Sequence, residues 1–224
     1  MQFCIINLNE MNKNIIIVGA GPNLSFGVAE KFGANNFSIG LISRNEEKLK
    51  GLAAELILKG INVKYAVADA SNTNELENAL LRLNNELGGV DVLLYNATHM
   101  KFRNIMDEKT EDLVEDFKLS VANAFHSVKT LQEKLKESKG AVLFTGGGLA
   151  THPNVQVGSL SIGKAALKNL ALQLHEVMKV ENIYVGTLTV NNAISKDSET
   201  HSPKILAEKY WEMYEKRSDA EIQY

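Results

Sequence analysis

From Lys13 to the C-terminus, short apolar runs rich in β-branched residues alternate with longer stretches whose apolar residues recur every three or four positions. The runs 14–18, 37–42, 63–68, 91–95, 141–145 and 183–190 read as strands, and their near-continuous apolarity is that of strands buried on both faces. Between them, 24–34, 46–58, 74–87, 110–136 and 159–180 read as helices, followed by a short helix at 204–214. In 110–136 one stripe runs through positions 113, 117, 121, 124, 128, 131 and 135, which predicts a single long helix. Strand–helix alternation at this spacing implies parallel strands joined by right-handed crossovers. The expectation is a doubly wound α/β fold of one domain, its parallel sheet holding six strands, or seven if 220–224 adds an edge.

The composition suits such a fold: 45% of the 224 residues are hydrophobic and 23% charged, enough to bury a full core. The domain is expected to span 13–224, after an N-terminal extension, 1–12, expected to be poorly ordered. Its apolar stretch at 3–6 is too short for a secretory signal and no basic segment precedes it; Met11 offers an alternative start. With 24 Lys+Arg against 27 Asp+Glu there is no basic excess for a phosphate backbone, so no nucleic-acid partner is expected. No run approaches the ~20 apolar residues of a membrane helix, so no membrane partner is expected either. The single cysteine, Cys4, excludes an intrachain disulfide and leaves no cluster for structural zinc. A reducing, cytoplasmic setting and no metal follow as expectations.

Parallel sheets of this kind hold ligands at the carboxyl ends of their strands. The first strand runs into Gly19-Ala20-Gly21-Pro22-Asn23-Leu24-Ser25. Glycines between a strand and a helix let the backbone approach a phosphate, which then sits on the helix N-terminus. A strict G-x-G-x-x-G fails, because Leu24 occupies the third glycine position. Asn23 tolerates unusual backbone angles, and Ser25 is small enough for close helix–strand packing. The second strand ends in Leu41-Ile42-Ser43-Arg44-Asn45, without the acid that would hold a ribose 2′-hydroxyl. Arg44 could instead grip a 2′-phosphate with paired hydrogen bonds.

Here the chain resembles the short-chain dehydrogenase/reductase superfamily, from about Lys13 to Ile194. That family's T-G-x-x-x-G-x-G falls on Val18 to Ser25, with Asn23 and Ser25 replacing two glycines. Asp69 in V-A-D-A-S resembles the acid at the adenine ring, and Tyr95-Asn96-Ala97-Thr98 resembles N-N-A-G. The run from Gly140 resembles the strand leading to the catalytic serine, and Ser159 to Lys164 lies where Y-x-x-x-K belongs. The resemblance implies a Rossmann fold binding a nicotinamide dinucleotide, NADP(H) in preference to NAD(H) given Arg44. The implied cofactor contacts are Gly19, Gly21, Asn23, Leu24, Ser25, Arg44, Asp69, Ala70, Asn96, Ala97, Lys164 and Ile194.

The chemistry departs from that pattern. The tyrosine place holds Leu160, the serine place Gly147, and the asparagine place on the long helix Ser120; only Lys164 is kept as a catalytic residue. A carbonyl reduced by hydride needs an acid for its oxygen, and leucine is none. Ser159 and Ser161 flank the vacant place but also suit a helix start. His152, after the fifth strand, and then His99, after Asn96, are rim imidazoles able to donate a proton. His126 and His175 fall mid-helix, as packing or surface residues. Tyr210, Trp211 and Tyr214 resemble a substrate lid, expected around 195–217, and aromatics at such spacing equally fill a core.

Two functions stand open: an NADP(H)-dependent oxidoreductase with a rebuilt proton-transfer site, and a non-catalytic NADP(H) sensor on the same fold. An S-adenosylmethionine-dependent methyltransferase lacks the acid before Gly19. Phe125, Val128, Leu167 and Leu174 exceed what one sheet contact needs, and in the family the matching helices pack against a second subunit. A homodimer or homotetramer is expected.

Overall fold

Every run read as a strand pairs in parallel with its neighbours in one sheet. The computed structural model describes residues 12–224; residues 1–11, nearly all of the expected extension, lie outside the described residues. The strands are β1 (Lys13–Val18), β2 (Phe37–Ser43), β3 (Val63–Val67), β4 (Val92–Tyr95), β5 (Ala141–Thr145), β6 (Tyr184–Thr189) and β7 (Glu221–Gln223). Their order is β3-β2-β1-β4-β5-β6-β7, so the edge strand expected at the C-terminus is formed. The order reverses between β1 and β4, where a doubly wound sheet opens a crevice at its carboxyl edge.

The apolar run of β1 explains its central place. Ile16 and Val18 join one core cluster, and Ile15 and Ile17 join the other on the opposite face. All four are fully buried, each stabilising by roughly 1.5–3 kcal/mol relative to exposure. One face is covered by α1 (Leu24–Ala34), α2 (Glu46–Leu58) and α7 (Pro203–Lys216). The other is covered by α3 (Thr73–Leu87), α5 (Asn123–Glu137) and α6 (Gly158–Met178), with α4 (Thr110–Phe117) packed against α6. Asn45, Asn72 and Ser202 cap α2, α3 and α7 by accepting backbone N–H bonds.

The helix expected at 110–136 is interrupted. Residues Lys118–Ala122 form a π-helical turn between α4 and α5. Such a turn frees a backbone carbonyl, and Tyr95 at the end of β4 takes it: its buried hydroxyl donates to Leu119 O at 2.5 Å. Burial and the nearby Asp69 charge keep the Tyr95 phenol well above its ordinary value, so it stays a donor.

Two further expectations turn on packing. Tyr210 is fully buried, its hydroxyl donating to Thr145 Oγ1 at 2.8 Å, and Tyr214 is buried beside it. Trp211 packs edge-on with Phe32 and Phe37, and Tyr214 edge-on with Phe37 and tilted against Phe32. The aromatics of α7 therefore pack as core between α7 and α1. Val128, Leu167 and Leu174 are also buried within the chain's own core, because α5 and α6 lean on the sheet with these stripes. Of the residues offered as a subunit contact, only Phe125 is exposed, at 45%.

Candidate functional site

The crevice begins at Gly19, whose φ of +84° is left-handed. A Cβ there would stand 2.6 Å from Ala97 N, so only glycine lets the turn after β1 press against the end of β4. The turn is clamped from both sides. Gly19 N and Ala20 N donate to Ile42 O at 3.0 and 2.9 Å, and Asn96 N donates to Val18 O at 2.8 Å. The Asn96 carboxamide donates to Gly19 O at 3.0 Å.

Ser25, in a glycine place, closes the turn with its side chain. Its hydroxyl accepts from Gly21 N at 2.8 Å and donates to Gly21 O at 3.1 Å. Open space lies where a Cβ of Gly21 would stand. Asn23 precedes α1 without a capping side-chain bond, leaving first-turn N–H groups for an anion.

The ends of β1, β2, β3 and β4 enclose a cavity of about 320 Å³. The structure brings Gly19, Arg44, Asp69, Ala70, Asn96 and Ala97 together on its wall, with Thr98, His99 and Leu119. Arg44 is exposed, with NH1 3.9 Å from Asp69 Oδ2. So open a pair adds little stability and leaves the guanidinium able to turn toward an anion. Burial alone would raise the Asp69 carboxyl. Hydrogen bonds from the Ser71 N–H and hydroxyl, with the Arg44 charge, instead hold it below its ordinary value. Asp69 therefore stays an ionised acceptor at neutral pH.

Gly21, Asn23, Leu24, Ser25, Lys164 and Ile194 do not line this cavity. The first four build the turn beside it, and Ile194 packs against the core on the α1 and α7 face. A larger cavity, about 870 Å³, lies at the amino end of the strands beside Lys13, Phe37, Lys139, Trp211 and Arg217. None of the implied dinucleotide contacts reaches it, and parallel sheets hold ligands at the other end.

Lys164 lies on the far side of β4. Its Nζ donates to Thr145 O at 2.7 Å, and burial lowers its pKa to about 8. Gly147 is extended, and a Cβ on it would meet Lys164 Cδ and Cε at 3.6 Å. Ser120, inside the π turn, has its Oγ 3.4 Å from Thr98 Oγ1 and faces Gly163. Leu160 is buried in the tyrosine place. The family's catalytic positions therefore stay neighbours around the start of α6, although three of their side chains differ.

The histidines separate sharply. His152, the first rim imidazole weighed, is exposed and bonds only the neighbouring Thr151, 3.0 Å away. It does not line the cavity at the ends of β1 to β4. His175 is buried against Val185 O, and His126 pairs with Glu77 between helices, both structural. Ser161 bonds Val157 O and Asn154 N, the work of a helix start. His99 lines the cavity and lies 2.7 Å from Asp116 Oδ1. Asp116 escaped the sequence reading; its one signal is its place four residues before Ser120 on an inward helical face.

A profile of the short chain dehydrogenase family matches residues 13–196. Dehydrogenase/reductase SDR family member 4 of Sus scrofa is 25% identical over 179 residues, 79% of this chain and 64% of that protein. The NADPH-dependent 1-acyldihydroxyacetone phosphate reductase of Saccharomyces cerevisiae is 27% identical over 180 residues, 79% of this chain and 60% of its own. The chain thus spans less than two thirds of the length of both. L-Sorbose reductase of Gluconobacter frateurii, solved with NADPH and L-sorbose, superposes with a TM-score of 0.87 at 20% identity. That likeness covers 95% of this chain and 94% of the reductase, and speaks for the fold.

Proposed function

This chain belongs to the short-chain dehydrogenase family, and from that premise we propose that it is an NADP(H)-dependent oxidoreductase acting on the carbonyl or alcohol group of a small molecule. The observation that carries the reading is the cavity walled by Gly19, Arg44, Asp69, Ala70, Asn96 and Ala97. Its parts suit a dinucleotide. A turn that only glycine can form leaves room for a pyrophosphate over Gly21 and the start of α1. Asp69 is an ionised acceptor for an adenine amino group, and Arg44 is an unburied cation for a 2′-phosphate. The names of the yeast and Gluconobacter proteins, both tied to NADPH, support the same choice.

A bound nicotinamide dinucleotide supplies or accepts hydride. The chain's own residues hold it: the glycine turn and Asn96 fix the backbone beside its phosphates, while Lys164, Leu160 and Gly147 border the reacting end. Lys164 orients rather than protonates, since Leu160 offers no hydroxyl for it to activate. No helix among the described residues is long and apolar enough to cross a membrane, and we place the reaction in the cytoplasm. The proposal includes a homodimer or homotetramer assembled through α5 and α6, where Phe125, Ile162 and Leu172 are exposed.

The test is NADPH and NADH binding by calorimetry, followed by NADPH oxidation over a panel of activated ketones and aldehydes. Tighter binding of NADPH with turnover of at least one carbonyl is expected. Tight binding with no turnover across the panel would favour the sensor, for which the loss of tyrosine and serine at positions 160 and 147 is the motivating feature.

A further inference from the structure

His99 follows β4, and β4 is flanked on its other side by β5. His99 lines the 320 Å³ cavity, and the preceding Thr98 has its Oγ1 3.4 Å from Ser120 Oγ, which itself faces Gly163 of α6. Its Nδ1 lies 2.7 Å from Asp116 Oδ1, which also accepts from Lys101 Nζ at 2.9 Å. The Asp116 side chain is only 5% exposed. Burial alone would raise that carboxyl, but its hydrogen bonds to Lys101 and His99 hold it below its ordinary value.

An ionised carboxylate at Nδ1 fixes the ring. It accepts a hydrogen bond from Nδ1–H, sets the tautomer and leaves Nε2 free; among the described residues Nε2 has no partner. The buried Ser159 hydroxyl faces the same carboxyl and helps hold it down by hydrogen bonding, and it immediately precedes Leu160. A purely structural pin between loop and helix would not need an oriented imidazole with a free nitrogen on a cavity wall.

We propose that His99 is the proton donor and acceptor of the reaction, replacing the side chain missing at Leu160, with Asp116 as its positioning residue. This rests on the oxidoreductase reading. In the reducing direction the substrate's carbonyl carbon takes up hydride, with its electron pair, from the bound dinucleotide. The C=O π pair moves to oxygen, and that oxygen takes the proton from Nε2 of the imidazolium. An alcohol, the oxidised dinucleotide and a neutral His99 remain, and solvent at the cavity mouth reprotonates the ring. The Nδ1–H bond to Asp116 persists throughout and stabilises the charged ring before transfer.

The test has a readout independent of turnover. The His99 ring nitrogens are followed by ¹⁵N NMR across pH in the free protein, with NADPH and with NADP⁺, and are identified by their loss in His99→Gln. The charged groups facing the ring are Asp116 and Lys101 at its Nδ1 side and Asp69 across the cavity. All are common to both complexes, so a difference between them reports the nicotinamide charge. A His99 Nε2 resonance that differs between the NADP⁺ and NADPH complexes is expected. Coincident resonances would overturn the proposal while leaving NADPH binding, measured by fluorescence, intact. No NADPH binding at all would instead end the oxidoreductase reading and this one with it. With a carbonyl that wild type reduces, His99→Gln should lower kcat about a hundredfold with NADPH affinity within about twofold. Asp116→Asn should lower kcat and move the ¹⁵N tautomer signature of His99, whereas Asp116→Ala, if merely unstable, would show a lowered Tm. His99→Gln turning over as fast as wild type would refute the role.

Discussion

The side-chain amide of Asn96 donates a 3.0 Å hydrogen bond to the carbonyl oxygen of Gly19. Thus the end of β4 holds the glycine turn after β1, the two strands between which the sheet order reverses. Gly19→Ala should be the more damaging change at this junction. It combines a left-handed φ with a Cβ 2.6 Å from backbone at Ala97, which cannot yield as a flexible side chain could. A loss of about 2–4 kcal/mol in urea unfolding, with NADPH binding abolished, is expected. Asn96→Ala removes one hydrogen bond and should cost about 1 kcal/mol. Wild-type stability for Gly19→Ala would show that this turn is not the constraint described.

Arg44 should decide dinucleotide choice. A charge-assisted contact to a 2′-phosphate is worth about 1.5–3 kcal/mol, roughly ten- to a hundredfold in affinity. Arg44→Ala should therefore bring NADPH affinity down toward that of NADH and leave NADH nearly unchanged. Its 3.9 Å approach to Asp69 is exposed and should matter little to stability. Equal binding of the two cofactors by wild type would end this assignment.

The sheet was legible because β-branched runs such as Ile15-Ile16-Ile17 leave a buried parallel strand as the simplest reading, and β1 does occupy the centre. The π turn was not legible: Phe117 of the expected stripe is exposed, because the widened turn at Lys118–Ala122 shifts the helical face there. The aromatics of α7 could not be assigned from spacing either. Residues at helical spacing look the same whether they cover a substrate or fill a core, and only the packing of Tyr210 and Tyr214 distinguishes them. His99 and Asp116 lie seventeen residues apart on a loop and a helix, so no local spacing could announce their pairing.

Assembly should be visible in solution. Val128, Leu167 and Leu174 are committed to the core, so any subunit contact must use exposed residues of the same helices: Phe125 on α5, with Ile162 and Leu172 on α6. Light scattering at micromolar concentration should report a dimer or tetramer, and Phe125→Glu should shift it toward monomer. A monomeric wild type would remove the oligomer from the proposal.

Lys164 should make stability depend on pH. Its pKa is about 8 in the folded chain against 10.5 ordinarily, so the unfolded chain binds more protons between these values. Stability therefore rises with pH across that window, and the full cost of burying the ammonium is felt below pH 8. At 1.36 kcal/mol per unit the cost is at most about 3 kcal/mol, less whatever the bond to Thr145 O returns. Lys164→Met should be the more stable protein at pH 7 in urea unfolding, with the advantage shrinking toward pH 10.5. A pH-independent difference would place the ammonium in water.

The vacant catalytic places can be refilled, because the backbone there is already suitable. Gly147 is extended rather than left-handed, and a Cβ on it would meet the Lys164 methylenes at ordinary contact distance, 3.6 Å. Gly147→Ser should therefore fold as wild type does. Leu160 is four residues before Lys164, so Leu160→Tyr would put a phenol on the same helical face as an ammonium already shifted to about 8. Alone, each change should raise NADPH oxidation with activated ketones only slightly: the serine has no acid beside it, and the tyrosine has no second hydroxyl to hold the substrate oxygen. Together they act on one oxygen, so the double variant should exceed the sum of the single gains. The four proteins are compared by NADPH oxidation over one ketone panel, with Tm as the check on folding. Merely additive gains in well-folded variants would show that the reacting carbonyl does not sit between positions 147 and 160.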